Sequence, residues 1–140
     1  MLTNGLVASL LANSAVSAIV GTRIQPIPAP EDLSQYPCVT YQVASDVSGY
    51  TLTGTDGVTT SRIIFDCFGL RYLDARTLAL AIKAALTAYR GTLPDGTEVF
   101  ETQIVNMVDA WDDGSRISRT SVHAVLQYAR SEVSPSFYSP

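Results

Sequence analysis

The side chains able to do chemistry are few in this chain and far apart. There is one histidine, His123, and there are two cysteines, Cys38 and Cys67. A metal centre needs several His, Cys or carboxylate ligands converging on one point. An activated nucleophile needs a base within hydrogen-bond reach. His123 stands in an alternating apolar run with no His or Cys partner at ligand spacing, so it reads as an ordinary strand side chain with a satisfied hydrogen bond. Cys38 and Cys67 belong to no C-x-x-C pair and cannot make a zinc site by themselves. Both fall in apolar, strand-like runs, where a cysteine behaves as a small buried hydrophobe. No G-x-S-x-G elbow presents a nucleophile, and no G-x-x-x-x-G-K-[ST] loop cradles a phosphate. Carboxylates are paired at Glu31-Asp32 and Asp112-Asp113, but acid/base work requires partners whose pKa values are driven apart. Polar, turn-forming stretches leave both members ionised. Asp109 lies close to Trp111; an aromatic near a strand end more often packs than assists catalysis. These residue types argue against an enzyme and call for neither metal nor cofactor.

What remains must act through shape and surface. The chain has 140 residues, enough for one domain with its own core. Apolar residues make up 46% and charged residues 16%, below the roughly 25% usual for soluble domains. Few charges imply surface buried against partners. The formal net charge is -4, and the nine Lys and Arg residues are scattered. A nucleic-acid reader shows a basic patch instead. An acidic surface past which DNA slides without sticking fits this balance. The first 21 residues lack the basic flank of an export signal, and no apolar run reaches the length of a membrane span. The expectation is a soluble protein made in the cytoplasm.

The elements that hold these residues follow from periodicity. Residues Leu2 to Val20 carry apolar positions at helical spacing, with Asn13 and Ser14 placed to cap a second short helix and Gly21 to stop it. RIQPIPAPEDLSQYP holds four prolines and must be an extended connector. CVTYQVASDV alternates as a half-buried strand, Val39, Tyr41 and Val43 sharing a face. The next residues, to Ser61, are rich in Gly and Thr and read as a protruding hairpin with its turn at Asp56-Gly57. RIIFDCFGL is a strand, Ile63, Phe65 and Cys67 opposite Ile64, Asp66 and Phe68; apolar groups on both faces suggest a central strand covered on each side, or one side buried by another subunit. Asp74 to Tyr89 is the clearest helix, capped by Asp74 and ended by Gly91. Asp95-Gly96 marks a tight turn, and VFETQIVNMVDAW and RISRTSVHAVLQYA are two strands joined through DDGS. The fold class is therefore α+β: an antiparallel, mixed-length sheet of about four strands plus the protruding hairpin, with two helices packed on one face. Residues 1–130 form this single domain, and 131–140 an extended C-terminal tail.

In this order the features resemble the tail-completion, or tail-terminator, proteins of siphophages, prophages and gene-transfer particles. The matching parts are an N-terminal helix leading to AIVGTRIQPIPAPEDLSQYPCVTYQ, the strand RIIFDCFG, the helix DARTLALAIKAAL and the late strand SVHAVLQYA. Within them, Val20 to Ile24 match the family's "vG.ri" segment, and Pro37 to Tyr41 its "P-x-v-x-Y" strand. The resemblance implies a structural virion protein, assembled in the host cytoplasm and placed at the head–tail junction. It further implies a homo-oligomeric, hexameric ring that caps the tail tube and meets the major tail-tube protein and the head-tail connector. Genome DNA would pass through the lumen unbound, and no membrane is involved. A neck or head-closure component of the same particle is the nearest alternative; a small non-viral ligand-binding α+β domain is the other.

On that reading, contacts are expected at Tyr50 and Leu52 on the hairpin arm, because aromatic and apolar groups on a protrusion anchor partners with few rotors. Phe137 and Tyr138 in the tail are expected to dock on a neighbour, and Arg62, Arg116 and Arg119 to form inter-subunit ion pairs. Asp46, Asp56, Asp112 and Asp113 are expected to line the lumen, where strong phosphate contacts would stall DNA.

Overall fold

The computed structural model describes residues 2–28, 36–51, 54–87, 89–94, 97–112 and 117–129. Helix α1 runs Leu2–Ala12 and α2 Ser14–Val20. The expected break falls at Asn13, whose carboxamide oxygen accepts from the N–H groups of Ala15 (3.0 Å) and Val16 (3.3 Å). Those are orphan donors of a new helix, so the cap starts α2 where α1 stops. Gly21, at φ 62°, ends it by donating its N–H to Ser17 O. Arg23 then ties the corner, its guanidinium donating to Pro37 O (2.9 Å) and Ile19 O (3.4 Å).

The described strands are β1 Ile24–Pro26, β2 Cys38–Thr51, β3 Gly54–Gly69, β4 Gly91–Thr92, β5 Glu98–Asp112 and β6 Ile117–Ala129, with α3 Tyr72–Leu86 between β3 and β4. They form one sheet in the order β1-β2-β3-β6-β5-β4. The α+β class stands, with three helices rather than two. The sheet has six strands among the described residues, because β1 and β4, of three and two residues, are too short to show an alternating pattern in sequence. One of them, β1, pairs parallel to β2 through Ile24↔Val39, against the all-antiparallel expectation. Its proline is tolerated because it lies on an edge strand.

The hairpin also differs from expectation. Asp56-Gly57 lies inside β3, and the reversal falls between the paired Thr51 and Gly54. The expected hairpin is thus the continuation of the paired strands β2 and β3 themselves. Helix α3 starts before Asp74, after Arg71, which makes no side-chain cap bond. Asp74 sits in the first turn, where its charge meets the positive helix end. The helix closes at Thr87, which donates to Lys83 O through both N–H (2.8 Å) and Oγ1 (2.6 Å). Gly91 instead belongs to β4. Of the expected turns, Asp95-Gly96 lies outside the described residues, as do Glu31 and Asp32.

All three helices cover one face of the sheet. That face carries Ile63, Phe65 and Cys67 of β3 and Val122, Ala124, Leu126 and Tyr128 of β6, packed with Leu6, Leu10, Val16, Leu78 and Ile82. Each such side chain contributes roughly 1.5–3 kcal/mol by leaving water. Two bulges keep β5 in step with this core. The register skips Phe100 and Val105, and each skip restores the alternation. Val99, Thr102, Ile104, Met107, Asp109 and Trp111 therefore share the helix side, opposite inward residues of β6. Among the described residues the other face has no helix. Its Ile64, Phe68 and Val125 are half-buried, and Tyr36 packs edge-on to Phe68 at 6.0 Å.

Candidate interaction surface

The candidate chemical groups are engaged in holding the sandwich together. His123 Nδ1 lies 3.0 Å from the Arg62 guanidinium. Because a guanidinium only donates, Nδ1 is the acceptor in this contact. This is the satisfied strand histidine expected from sequence, and it engages half-buried Arg62 within its own chain. Asp109 accepts from Thr120 Oγ1 (2.8 Å), Tyr72 Oη (3.3 Å) and Arg76 (3.4 Å), clamping the start of α3 onto β5 and β6. Asp66 is buried and accepts from Ser121 Oγ at 2.5 Å. Cys38 and Cys67 are buried free thiols. Burial pushes Cys38 up to about 11 despite the Arg23 guanidinium, and pushes Cys67 further up, with Asp66 and Cys38 adding to it. Among the described residues no cluster of His, Cys, Asp and Glu could hold a metal ion.

The contact residues expected from sequence are spread over the molecule. Asp46 is exposed on β2 opposite Ser61, which donates to it and lies 2.9 Å from Tyr128 Oη. Tyr50 and Asp56 belong to the hairpin arm by backbone pairing, Tyr50 opposite Thr55. Asp112 ends β5 at the other end of the sheet, paired with Ile117, and Arg119 is exposed on β6 opposite Ala110. Leu52, Asp113, Arg116, Phe137 and Tyr138 lie outside the described residues.

Two open grooves mark the surface. One, of about 770 Å³, runs between the end of α3 (Lys83, Thr87, Arg90) and β5 from Phe100 to Val105. The other, of about 510 Å³, lies at the β5–β6 end and is lined by Leu70, Arg71, Tyr72, Asp109, Ala110, Trp111 and Ser118. Its apolar wall is exposed: Trp111 54%, Tyr72 52% and Leu70 45%. Trp111 faces the helix side of the sheet but lies past the first turn of α3, so nothing of the described chain covers it. This reverses the expectation that Trp111 packs. The cluster was hidden in sequence because Leu70 and Tyr72 are far from Trp111 along the chain. The β3–α3 corner brings them together, where Gly69 pairs with Ser118, the neighbour of Trp111 across the ladder.

Comparison with known proteins gives two findings. The family described as Tail completion protein gp17 matches residues 4–128. No individual curated protein matches the sequence. A chain in the solved structure of the virion of a native gene transfer agent particle has the same fold. Its TM-score is 0.73 at 14% identity, and the match covers 89% of this chain and 92% of that one.

Proposed function

Because the chain belongs to the tail completion protein gp17 family, we propose that this structural virion protein closes the tail tube as a hexameric ring and joins it to the head connector. The observation that carries the reading is the extent of the family match, which takes in the whole sandwich from α1 to the next-to-last residue of β6. The exposed Leu70, Tyr72 and Trp111 support it from the physical side, since a lone subunit gains nothing from leaving such groups in water. A ring needs a heterologous contact, in which two different patches of one subunit meet their complements on the next. Asp46, Asp56, Asp112 and Asp113 face the passage in this reading, their charge keeping phosphate from adhering.

Electron microscopy of particles made without this protein tests the proposal. Tails of uncontrolled length, or tails detached from full heads, are expected. Tails of normal length on heads that leak their genome would instead make it a head-closure component.

A further inference from the structure

The ring reading leaves open which surfaces of neighbouring copies meet, and the register of the sheet points to them. We infer that the open edge of β2, at Val43 to Asp46, lies along the open edge of β5 of the next copy, with the Asp46 carboxylate set into the groove between β5 and α3. This rests on the ring reading and names its contact.

Among the described residues the two outermost strands are short. Strand β1 pairs with β2 only from Val39 to Tyr41, and β4 with β5 only at Glu98 and Val99. Beyond those points the sheet ends in β2 on one side and in β5 on the other. The ladders put these two edges in step. Asp46 pairs with Ser61, Ser61 with Leu126 and Leu126 with Thr102. Val43 reaches Ile104 in the same way, through Ile63 and Ala124. Both rows lie on the helix side of the sheet. Strands β2 and β5 run in opposite directions, because every pairing between them is antiparallel through β3 and β6. Copies related by a rotation without rise, about an axis along the strands, therefore bring Asp46 level with Thr102 of the neighbour in an antiparallel pair. Facing Cβ atoms in such a pair stand about 4.5–5.5 Å apart, within reach of a hydrogen bond between the side chains.

The groove offers what that carboxylate needs. Thr102 lines it and is only 2% exposed, yet its Oγ1 meets no hydrogen-bond partner. A buried hydroxyl left unpaired is destabilising, and a carboxylate oxygen would accept from it. Lys83 and Arg90 stand on the same wall, while the ion pairs of the described residues, Arg71 with Asp74 and Arg76 with Asp109, lie elsewhere. Glu101 turns to the opposite face, where Gln103 donates to it at 2.9 Å. Asp46 is exposed and accepts from Ser61 of its own chain, which leaves lone pairs for a second donor. Val43, 43% exposed, would meet the half-buried Ile104. The bulges at Phe100 and Val105 confine backbone pairing to the few residues between them, so these side chains set the contact. Asp46 thus faces the passage at a junction, its charge balanced by the neighbour.

Two experiments test the contact. Ser45 and Gln103 are exposed and fall in the same register, through Arg62 and Val125, on the face away from the helices. In particles carrying Ser45→Cys with Gln103→Cys, mild oxidation should give a ladder of disulfide-linked multimers that runs past the dimer. The second experiment adds purified chain to extracts whose particles lack it, and follows the concentration that joins half of the tails. Asp46→Lys and Lys83→Glu should each raise that concentration at least about tenfold, and the two together should return it to within about threefold of the unaltered chain. Urea unfolding of each variant alone separates loss of the contact from loss of the fold. Joined tails that yield no ladder, single changes without effect, or a pair that fails to rescue would overturn the contact and leave the ring reading standing. A ladder that stops at two copies would keep the contact and remove the ring reading.

Discussion

At the residue scale, the groups that looked reactive are spent on structure, and their environments say how they should behave. Cys38 and Cys67 hold their protons because burial disfavours the thiolate. Both should resist an aromatic disulfide reagent at pH 8 while the chain is folded and react in denaturant. The linkage has a definite sign. An unfolded Cys38 ionises near 9.0 and the folded one near 11, so above the first value the unfolded state binds fewer protons. The stabilisation is complete below about 9 and is lost as pH rises towards about 11. Urea titrations at stepped pH should show that decline, and a Cys38→Ala, Cys67→Ala chain should show less of it. Trp111 is the opposite case. It is more than half exposed, so Trp111→Ala should leave the unfolding free energy of a single copy within about 0.5 kcal/mol. A large loss in the monomer would mean that the indole serves the fold.

At the element scale, two positions decide where helices meet their neighbours. Asn13 separates α1 from α2 by satisfying two N–H groups, and Asn13→Ala should cost about 1 kcal/mol in denaturant unfolding. Gly69 ends β3 against the first turn of α3. A Cβ there would lie 2.6 Å from Asp74 Cβ and 2.7 Å from Ala75 N. Backbone cannot step aside as a flexible side-chain tip can, so Gly69→Ala should destabilise by about 1–3 kcal/mol. Because Leu70 and Tyr72 follow directly, the same change should disturb the cleft and weaken assembly. By contrast, Arg76→Ala removes only an exposed ion pair to Asp109 and should cost less than about 1 kcal/mol.

At the scale of the whole molecule, the sandwich covers one sheet face with its own helices and, among the described residues, leaves Leu70, Tyr72 and Trp111 exposed at one end. That asymmetry suits a subunit built to sit between two copies of itself. The acidic groups fall into two sets, Asp46 and Asp56 towards the arm and Asp112 at the far end. In the ring reading both sets face the passage. Asp56→Lys with Asp112→Lys should then slow genome release from intact particles by adding phosphate contacts at the passage, an effect relieved by raised salt. Unchanged release would place those carboxylates away from the DNA path.

The sequence by itself determined the class of the fold, because its signals are local. The alternation of Ile63, Phe65 and Cys67, the helical spacing of Leu78, Ile82 and Leu86, and the cap at Asn13 are each read within a few residues of one another. The short motifs carrying the family resemblance are equally local. Tertiary structure alone decided the rest. Pairing of a three-residue strand, two compensating bulges and the true turn of the arm depend on partners distant in the chain. Asp56-Gly57 has the composition of a turn but is drawn into β3, because the ladder with β2 carries the strand past it. The meeting of Leu70, Tyr72 and Trp111 follows from register across β3, β6 and β5. Register is a non-local property, fixed only when the helices choose which face of the sheet to bury.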